Sequence, residues 1–225
     1  MKSNITGIIN KLRTEEKKAR LILIIFFTVG VAGFAHPVTS NFFTHLTPFA
    51  LLLSISALAV FHKTDKYKKS LLIFSVIFIS GFLTEAVGVR SGMIFGSYSY
   101  GEGLGLKLFE TPLMIGINWL FLVYCTSIIV DQLPVNYIFK IISAALLMIV
   151  YDVLLEQTAP LLDMWEFEGG YAPVKNYLSW FIISMIFHLF LRLTGIRFGN
   201  RIAPFIFVLQ LVFFAALLII FKLLQ

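Results

Sequence analysis

The chain reads as an all-α polytopic membrane protein, a bundle of about seven transmembrane helices, because of how apolar it is, how its apolar residues are grouped, and where its charges fall. Hydrophobic residues make up 59% of the sequence and charged ones 13%, with a mean hydropathy of +0.90. No soluble core of 225 residues could hide that much apolar side chain. Runs long enough to cross a ~30 Å hydrocarbon layer at ~1.5 Å per residue occur at about 21–36, 43–61, 70–88, 111–130, 135–155, 176–193 and 202–223. Basic residues sort by connection. With the N-terminus in the cytoplasm, the inner side collects Lys2, Lys11, Arg13, Lys17, Lys18, Arg20, Lys63, Lys66, Lys68, Lys69, Lys140, Arg192, Arg197 and Arg201, and the outer side keeps Arg90, Lys107, Lys175 and Lys222. The positive-inside rule therefore predicts N-in and, with seven crossings, C-out, in the cell (inner) membrane. Topology accounts for the net charge of +6, and no nucleic-acid partner is needed.

Residues 1–20 read as a basic lead lying on the cytoplasmic leaflet, its charge softened by Glu15 and Glu16. Residues 21–225 form a single transmembrane domain. Gly33-Phe34-Ala35 has the look of a signal-peptide cleavage site, but the long charged lead and Pro37 argue for a retained first helix. The third run carries Glu85 near its end and opens into an outer connection, 89–110, rich in Gly and Tyr. The fourth carries Asn118, Trp119 and the sole cysteine, Cys125, which rules out an intrachain disulfide and a cysteine metal cluster. The fifth bears Asp152 and runs into Glu156, where an acidic outer connection, 156–175, begins. The sixth holds Asn176, Trp180 and His188; Asn118, Asn176 and His188 read as polar groups serving helix contacts. The seventh has Lys222 only at its extreme end, which disfavours a retinal Schiff base.

The four histidines, His36, His45, His62 and His188, stand too far apart for the His boxes of diiron oxygenases. Gly101-Glu102-Gly103-Leu104-Gly105 follows no strand, so it reads as a flexible turn and not as a dinucleotide fingerprint. What remains is a set of carboxylates at helix ends: Glu85, Glu110, Asp152 and Glu156. Ionisable groups in membrane segments are rare and are functional candidates. Asp152 and Glu156, spaced i, i+4, share a helix face. Two carboxylates so close cannot both ionise easily, so one proton is shared by the pair and is available as a general acid. Glu85 lies roughly 7.5 Å by helix rise below Arg90. Phe95, Tyr98, Tyr100, Trp119, Trp165, Tyr171, Tyr177 and Trp180 fall near the outer boundary, where some serve as an interfacial belt and others can line a pocket and face a cation.

The string Glu85-x-x-Gly88-x-x-x-Gly92-x-x-Phe95-Gly96-x-Tyr98-x-Tyr100, followed by Pro112, Trp119, Asp152-x-x-x-Glu156, Asp163-x-Trp165 and Pro173-x-x-Asn176-x-x-x-Trp180, resembles the membrane carotenoid-biosynthesis proteins. That family includes bacterial carotenoid 1,2-hydratases and the bisanhydrobacterioruberin hydratase of haloarchaea. The resemblance spans about 80–181 and departs at Gln157, where a proline is expected, and at Phe167, where a second tryptophan is usual. It implies a cofactor-independent hydro-lyase, with no metal, that adds water to the terminal double bond of an acyclic carotenoid. Glu85, Asp152 and Glu156 would be catalytic, and Arg90, Phe95, Tyr98, Tyr100, Trp119, Trp165, Asn176 and Trp180 would bind substrate. Its partners would be a carotenoid or other polyisoprenoid lipid, water, and by analogy neighbouring enzymes of the pathway. Which carboxylate is the acid stays open. The same acidic pair also suits a prenyltransferase-like enzyme, which would need Mg²⁺, or a non-enzymatic proton-coupled transporter or lipid-binding scaffold. A C40 polyene can reach such a site only from the lipid, which predicts a lateral opening between helices.

Overall fold

A computed structural model describes residues 15–224. Residues 1–14, most of the basic lead, lie outside the described residues, and Glu16 already belongs to the first helix. Seven helices follow: α1 (Glu16–Ala35), α2 (Pro37–Phe61), α3 (Tyr67–Ser91), α4 (Leu113–Asp131), α5 (Tyr137–Thr158), α6 (Val174–Leu193) and α7 (Ala203–Leu224). All seven are long and apolar enough to cross a membrane, and the chain is a multi-pass membrane protein. The helix-forming runs extend beyond the purely apolar ones. α2 starts at Pro37, whose fixed φ suits the first helical position, and His36 Nδ1 accepts the Val38 N–H at 3.3 Å. One residue thus separates α1 from α2.

α4 is the axis of the bundle. Its apolar residues point in every direction, as a helix surrounded by others requires, and Trp119, Phe121, Leu122, Val123 and Cys125 are all fully buried. α3 comes close to α4 because Gly81 sits against Trp119: an added Cβ would lie 2.7 Å from that of the tryptophan. A string of hydrogen bonds ties α4 to α6, with His188 between the Thr126 and Ser127 hydroxyls at 3.1 Å each, as a packing histidine should be.

The two ends of the bundle differ. At the basic end, the α2–α3 and α6–α7 connections meet in a bridge between Lys63 and Gly199. Asn200 donates there to the Leu58 carbonyl at 2.8 Å and to the Tyr124 hydroxyl at 3.0 Å, and His62 bonds Tyr124 and Ser70. The opposite end carries the long connections and two short strand pairs: β1 (Tyr98–Tyr100) pairs antiparallel with β4 (Trp165–Phe167), and β2 (Lys107–Leu108) with β3 (Thr111–Pro112). Hydropathy gives no sign of these short strands. A 3-10 turn at Pro160–Leu162 leads from α5 towards β4.

The glycine-rich segment 101–105 is not a flexible turn. Gly101 N donates to the Met164 carbonyl at 2.9 Å, Gly103 N to the Asp163 carbonyl at 2.7 Å, and Glu102 N to the Asp163 carboxylate at 3.0 Å. The backbones touch so closely that a Cβ on Gly101 would fall 2.2 Å from Asp163 Oδ1. The turn is pinned to the 159–164 segment, which explains its glycines by close approach.

Overpacking at the α3–α4 seam should be costly. Gly81→Ala is expected to lower stability by about 1–3 kcal/mol, whereas Gly199→Ala, with open space around the added methyl, should be near neutral. Unfolding midpoints in mixed detergent micelles check both.

Candidate functional site

Three carboxylates gather at the loop-rich end, brought there by the last turns of α3 and α5. Glu85 is 4% exposed and Asp152 fully buried, with Glu156 half-buried one helical turn beyond Asp152. Buried carboxylates need donors, and the chain supplies them from four separate segments.

Glu85 accepts three hydrogen bonds. Trp119 Nε1, from α4, donates to Oε1 at 3.0 Å, and the hydroxyls of Tyr98 and Tyr100, both from β1, donate to Oε2 at 2.7 and 2.9 Å. Tyrosines at alternate positions of a strand point to one face, which is why both reach a single oxygen. β1 is aimed there by its turn: Gly92 takes the left-handed conformation that ends α3 (φ +63°), and Phe95 then packs into the space left by Gly88. Pairing with β4 holds the strand in register, with Tyr98 opposite Phe167 and Tyr100 opposite Trp165. Phe167, where the resemblance expects a tryptophan, fills the same place as an aromatic wall, its ring 5.2 Å from that of Tyr98. Gln157, the other departure, is exposed and donates only to its own helix.

Asp152 and Glu156 are held by one amide. Asn176, at the start of α6, donates from Nδ2 to Asp152 Oδ2 at 3.2 Å and to Glu156 Oε1 at 2.9 Å. Trp165 Nε1 donates to Glu156 Oε2 at 2.9 Å. Among the described residues, no donor reaches the buried Asp152 Oδ1. Glu85 is near enough to act electrostatically on both. Trp180, one turn below Asn176, stacks on Trp119 with ring centroids 3.9 Å apart and planes at 14°. So Asn176 bonds the carboxylates, where the sequence suggests a helix contact and the resemblance a substrate-binding residue.

Burial, with the Glu85 charge beside them, pushes the Tyr98 and Tyr100 phenols above their ordinary value of 10.0, so both remain hydrogen-bond donors throughout the physiological range.

Of the residues singled out in the sequence, the cluster brings together Glu85, Asp152, Glu156, Tyr98, Tyr100, Trp119, Trp165, Asn176 and Trp180, with Phe95 packed behind Tyr98. Arg90 is not among them: it is exposed in the last turn of α3, where a cation complements the helix C-terminus. Glu110 is also apart, exposed at the tip of the β2–β3 hairpin, and Tyr171 is exposed like a belt residue.

An apolar cavity of about 200 Å³ lies on the other side of Trp165. Side chains of α1, α2, α4, α5 and α7 line it, with Leu104, Met164 and Trp165 from the connections closing one end. Val29, on its wall, is 53% exposed, which places the rim of the cavity at the lipid-facing surface of α1. Trp165 is therefore shared, its ring facing the cavity and its N–H holding Glu156. Sequence reasoning missed this chamber, since five helices contribute to it and no spacing signals it.

The sequence model of a family described as carotenoid biosynthesis protein matches residues 46–224, from α2 to the end of α7, and so includes every residue of the carboxylate cluster. No curated protein and no solved structure matches the chain.

The two phenols give a pH prediction. Each holds its proton more tightly folded than unfolded, so its stabilisation is complete below pH 10 and is lost as pH rises through the folded value. Thermal unfolding between pH 8 and pH 11 should show stability falling on the alkaline side, and Tyr98→Phe/Tyr100→Phe should flatten that fall while lowering stability at neutral pH.

Proposed function

Because the chain belongs to the carotenoid biosynthesis protein family, we propose that it is a carotenoid hydratase that adds water to the terminal trisubstituted double bond of an acyclic carotenoid end. The observation that carries this reading is the difference between its carboxylates. Both oxygens of Glu85 are engaged, by three donors in all. Asp152 has a buried oxygen with no donor, the place for a proton.

Asp152 transfers that proton to the less substituted alkene carbon. The π electrons form the new C–H bond and leave a tertiary cation on the neighbouring carbon. The Glu85 anion and the faces of the surrounding tyrosine and tryptophan rings stabilise this charge in a site already organised to receive it. Water then attacks the cation and gives up a proton to Glu156, leaving the tertiary alcohol. Asn176 holds Glu156 and Asp152 side by side, and transfer of the proton from Glu156 back to Asp152 restores the acid. The balance is alkene plus water to alcohol, and no cofactor or metal is called for.

The loop-rich end is the outer one in this reading, in the cell membrane, with the N-terminus inside. Water enters from the connections and the polyene from the lipid. Among the described residues, no three His, Cys, Asp or Glu side chains converge in an arrangement able to hold a metal ion. A prenyltransferase-like activity would show Mg²⁺ dependence, and a transporter would move its cargo unchanged across proteoliposomes.

Expression in a lycopene-producing bacterium tests the proposal. Wild type should yield pigment heavier by one water. Asp152→Asn and Glu85→Gln should lower that yield by about a hundredfold or more, as loss of a general acid or of a charge stabiliser does. Chromatography with mass analysis reads the outcome, and unchanged lycopene with wild-type protein present in the membrane would overturn it for this substrate.

A further inference from the structure

The cavity beside Trp165 is apolar over most of its wall, yet two of its polar side chains have nothing to bond. Thr47 Oγ1 is buried and without a partner. Asn118, 7% exposed, faces the same space from α4, and among the described residues its amide makes no hydrogen bond. Gln210, also in the wall, differs: it accepts from the Tyr151 hydroxyl at 2.6 Å and donates to Ser54 Oγ at 2.9 Å. Buried amides and hydroxyls are nearly always paired, and an unpaired one is costly. Within one cavity, two polar side chains without partners beside one that has them point to a ligand that carries a polar atom.

The ligand must be mostly hydrocarbon to suit the wall and must carry an oxygen to suit the pair. A hydroxyl donates one hydrogen bond and accepts two, so it satisfies an amide and a threonine together. The volume fits a chain end: a dry cavity of about 150 Å³ takes a benzene ring, and this one of about 200 Å³ has room for the branched end of an isoprenoid. The remainder of the chain leaves by the rim at Val29, into lipid.

We propose that this cavity is a binding site for an oxygenated isoprenoid, with Thr47 and Asn118 as the pair that recognises its hydroxyl. The inference rests on the hydratase reading for the class of chain. Two sources supply such a ligand, the tertiary alcohol the site itself would make and an end group oxygenated before it arrives.

Displacement of tritium-labelled phytol from purified protein in nanodiscs tests it, with three C20 competitors: phytane, phytol, and phytane bearing a hydroxyl on its terminal tertiary carbon. In wild type, at least one alcohol should compete at about tenfold lower concentration than phytane. Preference for the tertiary alcohol identifies the product, and preference for phytol a ligand oxygenated earlier. Thr47→Val/Asn118→Leu should abolish the preference and leave phytane within about twofold of its wild-type value, and Ala50→Phe, which fills the cavity, should weaken all three. Equal competition by phytane and both alcohols in wild type, as when the pair merely holds a water, would overturn the proposal. So would a preference that survives the double variant, or binding that survives Ala50→Phe. Displacement requires no turnover: failed hydration with the alcohol preference intact counts against the hydratase reading alone, and the converse against this inference alone.

Discussion

The buried carboxylate of Glu85 is the constraint on which the loop-rich end depends. A carboxylate withdrawn from water costs several kcal/mol unless donors replace the lost hydration, and here all three come from outside α3. Two of them require β1 to leave the helix end, turn at Gly92 and run back over Glu85. The third requires Trp119 at the same depth on α4, which in turn requires Gly81 to make way for it. One side chain thereby fixes the course of a connection and the approach of two helices. Tyr98, pressed between Phe95 and Phe167, cannot swing away without opening the β1–β4 ribbon.

Asn176 does the corresponding work for α5 and α6 with a weaker hand. Its single amino group divides between two carboxylates, which leaves that pair less well satisfied than Glu85. Glu85 and the acidic pair therefore differ in kind although they lie in one cluster: one is locked by uncharged donors, the other is loosely held and has an oxygen to spare. Chemistry that moves a proton needs the second kind, and chemistry that stabilises a cation needs the first. Trp119 links the two halves, holding Glu85 by its N–H and stacking by its face on Trp180, one turn from Asn176.

What was legible in the sequence follows from how local the signal is. The seven helices show because lipid demands long apolar runs, and the Glu85–Tyr100 string shows because its partners lie within fifteen residues and each glycine has a packing reason. Asp152 and Glu156 are legible as a helix-face pair. The donors to them are less so, since Asn176 and Trp165 reach them across a tertiary fold, and an asparagine at a helix start usually has humbler duties. The pinned turn at 101–105 is not legible because close approach of two backbones leaves no trace in composition apart from glycine, which also marks flexibility. Arg90, a substrate-binding residue on the resemblance, is turned out to the surface by the helix.

Trp165 is where the two compartments meet, and its placement bears on how a reactive cation could be kept from the wrong partner. Its ring closes the end of the apolar cavity while its N–H engages Glu156, so the tryptophan cannot move aside without also releasing that carboxylate. On the proposed chemistry this coupling has a clear use: a hydrocarbon end that displaced the ring would reach the acidic pair at the moment Glu156 became free to receive a proton from water. Before then, the same ring separates lipid-derived hydrocarbon from acid and so keeps the double bond from protonation without a positioned water. The β1–β4 ribbon supports that role because Tyr100, opposite Trp165 in register, anchors the strand to Glu85. Movement at the partition is thus resisted by the carboxylate that, in the proposed reaction, stabilises the cation.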